Sequence, residues 1–149
     1  MYVAPELEDK VAAFSRIKVD GLVETLGIEY LHFAPNLFSA RMPVDGRTYQ
    51  PGGLLHGGAS VALAETLASV GTALLVDETR YTAVGMEVNA NHLRPVKTGH
   101  VTAEARPVHK GRSSFVWSIE VKDDAGRMVC VSRCTVAVVA LRNGKGDLT

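Results

Sequence analysis

The sequence predicts an α+β fold in which an antiparallel sheet wraps around one long helix. Three observations carry this. Residues 58–76 are small or apolar on nearly every helical face, with one charge among them, Glu65. A helix that is apolar all round is buried rather than laid on a surface. After it the pattern changes to β alternation, punctuated by turn signals at Lys97-Thr98-Gly99, Lys110-Gly111-Arg112 and Asp123-Asp124-Ala125-Gly126. The strands are grouped, not interleaved with helices, which separates α+β from a doubly wound parallel sheet.

Taken in order, residues 6–17 read as a short amphipathic helix, with Leu7, Val11, Phe14 and Ile17 at helical spacing. Asp20 is placed to N-cap a second short turn that runs through Leu26 and ends at Gly27. Residues 28–34 and 37–44 read as two strands joined by a Pro35-Asn36 turn. A Gly-rich loop over 47–55 leads into the helix, where His56-Gly57-Gly58 marks the start. Strands are expected over 82–96, 100–108, 114–122 and 127–141. In the second, Val101, Ala103 and Ala105 alternate with Thr102, Glu104 and Arg106; in the third, Phe115, Trp117, Ile119 and Val121 share a face. The whole chain, 1–149, reads as one domain: short helices over 6–26, a core over 27–141 and a loose polar tail over 142–149.

Composition closes off several classes. Lys+Arg and Asp+Glu balance at 16 each, so no global field steers the chain toward nucleic acid or an anionic membrane. The one long apolar run holds Glu65 and lacks basic or aromatic flanking anchors, so it is read as a core helix rather than a membrane span. The early residues carry acids and no signal-like apolar run, and a cytoplasmic protein is expected. Cys130 and Cys134 lie on one expected strand, roughly 13 Å apart and beyond disulfide reach, so they are expected to be free thiols. No His/Cys spacing fits a metal site, and none is expected. No Walker A run, no GxGxxG, no GxSxG elbow and no cysteine near a helix start is present.

What remains is the conflict inside the helix. An ionisable group in an apolar helix is costly unless it is paired or working. The bland alternative for Glu65 is an acid held by a neighbouring cation or facing a subunit interface. Ser69, at i+4, shares its helical face and could hold a water beside the carboxylate. A desolvated carboxylate is a stronger base than a solvated one. At the helix start, the backbone N–H groups of His56-Gly57-Gly58 lack intrahelical partners and the dipole is positive, which is the make-up of an oxyanion site. Gln50, in the loop before it, could reach the same carbonyl. Nine residues separate His56 from Glu65, roughly 13 Å of rise and half a turn out of phase. One small carbonyl cannot touch both from one chain. A catalytic role for both therefore requires two chains, with helices side by side and opposed: a homodimer with two composite sites. A second group, His92, Arg94 and Lys97, then His109, Lys110, Gly111, Arg112 and Ser113, reads either as a solvated rim or as a phosphate clamp for a nucleotide-bearing substrate.

These residues also carry a resemblance. Gln50-Pro51, the run Gly53 to Ser60, Ala64-Glu65, the run Gly85 to Arg94, and Gly126-Arg127 together resemble the hotdog-fold acyl-CoA thioesterases, over about residues 20 to 140. Within them the sequence is most similar to the 1,4-dihydroxy-2-naphthoyl-CoA thioesterases of menaquinone synthesis. Close behind come the 4-hydroxybenzoyl-CoA and phenylacetate-pathway thioesterases and the proofreading thioesterases of siderophore assembly.

The resemblance implies a sheet wrapped round a central helix, and dimers that pair to a homotetramer. It implies Glu65 as nucleophile or general base, the Gly57 N–H as oxyanion donor, and His56 and Gln50 flanking the thioester carbonyl, with Ser69 as the hydroxyl one turn past the acid. His92, Arg94 and the 110–113 turn fall where relatives contact the CoA nucleotide. Gly53 stands where some relatives carry Phe, near the expected acyl pocket. An aromatic acyl-CoA is the expected substrate, with CoA as part of it and no separate cofactor. The competing expectations are a proofreading thioesterase acting on acyl or aryl carrier protein, a hotdog hydratase or dehydratase, and a non-catalytic acyl-CoA binding module.

Overall fold

A computed structural model describes residues 1–17 and 21–141. Seven strands form one sheet in the order β1-β2-β3-β5-β6-β7-β4, with a 19-residue helix, α3 (Gly57–Leu75), packed across it. The strands are β1 (Tyr2–Val3), β2 (Glu29–Ala34), β3 (Leu37–Pro43), β4 (Tyr81–His92), β5 (His100–Lys110), β6 (Ser114–Asp123) and β7 (Met128–Ala140). All neighbours are antiparallel except β1, which adds two residues in parallel to β2. Nothing in the sequence signals β1. The hairpins β2–β3, β5–β6 and β6–β7 follow the expected turns. The strand after the helix crosses to the far edge and pairs with β7.

The core lies between α3 and the concave face. Trp117, Phe38, Leu63, Leu67 and Ile119 are fully buried there. Trp117 lies so close to the helix that a Cβ on Gly71 would come 2.7 Å from its ring, which is why the helix is glycine at that turn. The indole Nε1–H donates to Thr72 Oγ1 at 2.9 Å, and that hydroxyl donates to Ala68 O at 2.8 Å, so both of these buried polar groups are partnered.

The expected first helix is split. Pro5–Leu7 form a 3-10 turn and Glu8–Phe14 form α1. Ile17, expected on its apolar face, lies beyond the helix end and is exposed. The α2 helix (Leu22–Leu26) has Gly21 at its N-cap, with Gly21 N–H donating to Glu24 Oε2 at 3.2 Å; Asp20, expected there, and the tail 142–149 lie outside the described residues. Gly27 ends α2 with φ 67°, as expected. β4 stops at His92 rather than running to residue 96, because β7 begins at Met128 and the Leu93 and Arg94 N–H groups both turn to Val129 O.

The helix is not buried all round. Leu63, Ala64, Leu67, Ala68 and Thr72 face the sheet, but a stripe through Val61, Ala62, Glu65, Thr66, Ser69 and Val70 is only half-covered, and Ala73 is exposed. Length and composition alone would let α3 cross a membrane; its packing on the sheet makes it the core helix.

Candidate active site

The site is built along α3. His56 holds extended backbone (φ −70°, ψ 130°) and caps the helix, its Nδ1 accepting from Gly58 N–H at 2.8 Å. A ring that accepts at Nδ1 carries its proton on Nε2, so the exposed edge of His56 is a donor. The Ala59 N–H goes to His56 O at 3.0 Å. That leaves the Gly57 N–H with no hydrogen-bond partner among the described residues, at the positive end of a 19-residue helix.

His92 lies directly over this point. A Cβ on Gly57 would sit 2.6 Å from His92 Nε2, so any larger residue here must push the ring aside. Gln50 Oε1 accepts a short hydrogen bond from Gly52 N–H, which leaves its –NH2 end to donate. Gln50, Gly57, Ser60, His92 and Arg94 line one open cavity of about 320 Å³. Arg94 is anchored, donating from Nη1 to Met128 O at 2.7 Å.

Glu65 is elsewhere. Eight residues separate it from Gly57, roughly 12 Å along the axis and about 80° round the helix. It is half-buried and forms no ion pair among the described residues. Its carboxylate lies against Gly85 of β4. Glu65 and Ser69 line a second, larger cavity of about 670 Å³, whose other walls include Phe14, Leu22, Val23 and Tyr30. Burial in this wall pushes the Tyr30 hydroxyl up to about 12, helped by the Glu24 charge. Burial does the same to the Cys134 thiol, with the Glu65 and Glu87 charges adding to it.

One chain thus holds two half-sites. The donor half contains Gln50, His56, Gly57, His92 and Arg94; the acid half contains Glu65 and Ser69. The basic residues expected to act together divide as well. His92 and Arg94 lie where β4 ends. The 110–113 turn lies where β4 begins: Val138 N–H donates to Ser113 O at 2.9 Å, and Val138 is paired two positions from the Tyr81 end of β4. Nine positions of β4, from Ala83 to His92, separate them by on the order of 30 Å. Lys110 Nζ donates to Pro35 O at 2.6 Å, and Gly111 N–H to Ser114 O at 2.9 Å. Gly53 has φ 73°, a left-handed turn that favours glycine, and lines neither cavity. Gly85 and the apolar wall of α1 and α2 were not legible as site residues. An isolated glycine within a strand pattern was the available signal for Gly85.

A sheet curved around one helix, with a free N–H at the helix start and an unpaired acid two turns along it, defines a hotdog-fold protein built for acyl-thioester chemistry. The chain belongs to the thioesterase superfamily, whose family model matches residues 52–130, and it is a thioester hydrolase. It is 48% identical to the proofreading thioesterase EntH of Klebsiella pneumoniae over 129 residues, covering 87% of this chain and 93% of EntH. A crystal structure of a mutant of thioesterase PA1618 from Pseudomonas aeruginosa superposes with a TM-score of 0.83 at 47% identity, covering 93% of this chain and 96% of that one. Thioesterase HI1161 from Haemophilus influenzae superposes at 0.81 and 45% identity, covering 92% and 93%.

Proposed function

We propose that this thioester hydrolase acts on an aromatic acyl-CoA, in a homodimer whose two sites each combine the donor half of one chain with the acid half of the other. The observation that carries it is the division itself: an unpartnered Gly57 N–H and an unpaired Glu65 sit on one helix, too far apart to share a carbonyl. Each half supplies what the other lacks.

The steps follow from the groups. The Gly57 N–H, at the helix N-terminus, holds the thioester oxygen as negative charge develops on it. The His56 Nε2–H and the Gln50 –NH2 are the neighbouring donors. Glu65 of the partner chain attacks the carbonyl carbon or takes a proton from an attacking water, which Ser69 is placed to hold. The C–S bond breaks, CoA leaves as thiolate, and the acid is released. No metal or separate cofactor enters. His92 and Arg94, beside the donor half, are the residues for the CoA arm. The 110–113 turn joins them only if another chain brings it near.

The large cavity beside Glu65 supports an aryl group: Phe14, Tyr30 and Leu22 give it a broad apolar wall, within the size range of small-molecule pockets. The dihydroxynaphthoyl group, expected from the motif resemblance, heads the aryl thioesters to try. A carrier-protein thioester is the second reading, favoured by the 48% identity to the proofreading thioesterase EntH. The setting is cytoplasmic in either case, and tetramers are dimers of these dimers. Glu65→Gln tests the mechanism: thiol release from benzoyl-, phenylacetyl- and dihydroxynaphthoyl-CoA, followed with DTNB, falls by orders of magnitude while the protein stays folded. A Glu65→Gln variant as fast as wild type ends the proposal. Running the same acyl groups on CoA and on a carrier protein separates the two carriers, and thiol release itself separates hydrolysis from hydration.

A further inference from the structure

We propose that Gly85 is a positioning residue for Glu65: the missing side chain at that place in β4 forms the seat in which the carboxylate rests. The seat rests on Glu65 being the acting acid, as proposed above.

Space, not backbone conformation, calls for glycine at residue 85. Its φ is not in the left-handed region, unlike Gly27, Gly53, Gly99 and Gly126, so any residue could adopt its backbone. Glycine weakens a strand interior, so its presence needs a cause. A Cβ built there would overlap Glu65 Oε1 and lie 3.3 Å from Cδ and 3.6 Å from Cγ; these three atoms of Glu65 are the nearest it meets.

The strand is also bent to make this seat. The β4–β7 register shifts between Gly85 and Glu87. Before the shift, Ala83 packs on the core; after it, Val88 and Ala90 do. The inward row therefore runs 83, 85, 88, 90 and on to His92, which covers Gly57. An unbroken alternation from Gly85 would turn Glu87 inward beside Glu65 and His92 away from the helix. Instead Glu87 is exposed and accepts from Asn89 Nδ2 at 2.8 Å. One bulge thus keeps a like charge away from the acid and turns both Gly85 and His92 toward α3.

Restoring ordinary van der Waals separation to a Cβ at residue 85 displaces the carboxylate by about 1 Å, a misplacement of the size that costs on the order of 100-fold in rate. The experiment compares wild type, Gly85→Ala, Glu65→Asp, Glu65→Asp/Gly85→Ala and Glu65→Gln on benzoyl-CoA, with melting temperatures for each. Gly85→Ala is expected to lose about 100-fold in kcat with little change in KM. The shorter acid retreats from the new methyl, so the double variant is expected to be faster than the product of the two single losses. Losses that simply multiply overturn the seat. Wild-type kcat for Gly85→Ala beside an inactive Glu65→Gln also overturns it and leaves Glu65 as the acid. A fully active Glu65→Gln sinks the acid, and the seat with it. If Gly85→Ala alone fails to fold, Glu65→Ala/Gly85→Ala decides: recovered folding supports the seat, and folding still lost overturns it.

Discussion

Two inactive variants of this protein should make an active one when mixed, if each site draws on two chains. The first variant, Glu65→Gln, removes the acid half. The second, Gly57→Pro, removes the N–H that is free at the helix start. Proline is tolerated at the first helical position, and His56 already holds the extended backbone that must precede it. The His92 ring has to swing aside, since it would meet the new Cβ at 2.6 Å. Loss of one oxyanion donor costs about 100- to 1000-fold, so each variant alone is close to silent. Co-expressed in equal amounts, the chains pair at random as one part, two parts and one part. Each mixed dimer carries one site with an intact Gly57 facing an intact Glu65, and one site with neither. Half the dimers with half their sites gives about 25% of wild-type turnover. Two affinity tags isolate the mixed dimer, which should run at about half the wild-type rate. A mixed dimer no faster than either parent would refute the composite site and place both groups within one chain's cleft.

Other consequences can be checked separately. Thr72→Val takes the acceptor from the buried Trp117 indole, and an unsatisfied buried donor costs about 1–3 kcal/mol, read from urea unfolding. An unchanged midpoint would mean that the indole finds another partner. Cys130 and Cys134 are both buried with their thiols pushed up, so neither should react with DTNB in the native protein, and both should react in denaturant. Cys134 is raised from 9.0 to about 12 by burial and then by Glu65 and Glu87, so its contribution is complete below pH 9 and is lost as pH rises toward 12. Cys134→Ala should flatten that alkaline decline in melting temperature; an equally steep decline assigns it to other groups.

The helix and most strand bounds could be read in the sequence because their signals are local. His56-Gly57-Gly58 ahead of an apolar run marks a helix start, and the turns after Ala34, Lys110 and Asp123 mark hairpins. Counting residues between His56 and Glu65 gave the division into two halves, since helix geometry does not depend on what surrounds it. The rest depends on tertiary context. β1 is two residues long and owes its existence to the β2 edge. The side of the sheet to which β4 crosses is set by packing, so nothing local told that His92 and the 110–113 turn stand at opposite ends. The bulge at Gly85–Glu87 hides in a run that reads as continuous strand, and only the contacts of Val88 and Ala90 reveal the change of phase. The uncovered stripe on α3 differs from the expected all-round burial for a simple reason. Small apolar residues look the same whether a sheet or another helix covers them.

That stripe and the β4 edge together restrict how two chains can meet. β4 is an outer strand 12 residues long, with Val84 and Met86 exposed, and a long open edge is a template for pairing. On α3, level alignment of Gly57 in one chain with Glu65 in the other needs antiparallel helices whose two-fold axis passes near residue 61. Val61 lies on the half-covered stripe. On β4, Gly85 lies under Glu65 and His92 over Gly57, and their midpoint falls between Val88 and Asn89. In the proposed dimer, a two-fold axis through Val61 of the helix and residues 88–89 of the edge strand would join β4 to β4 in antiparallel fashion and complete both sites in one contact. Parallel helices would set acid against acid and leave both amide donors unopposed. On the proposed mechanism, the helix, its glycine seat and the strand edge all require the same axis.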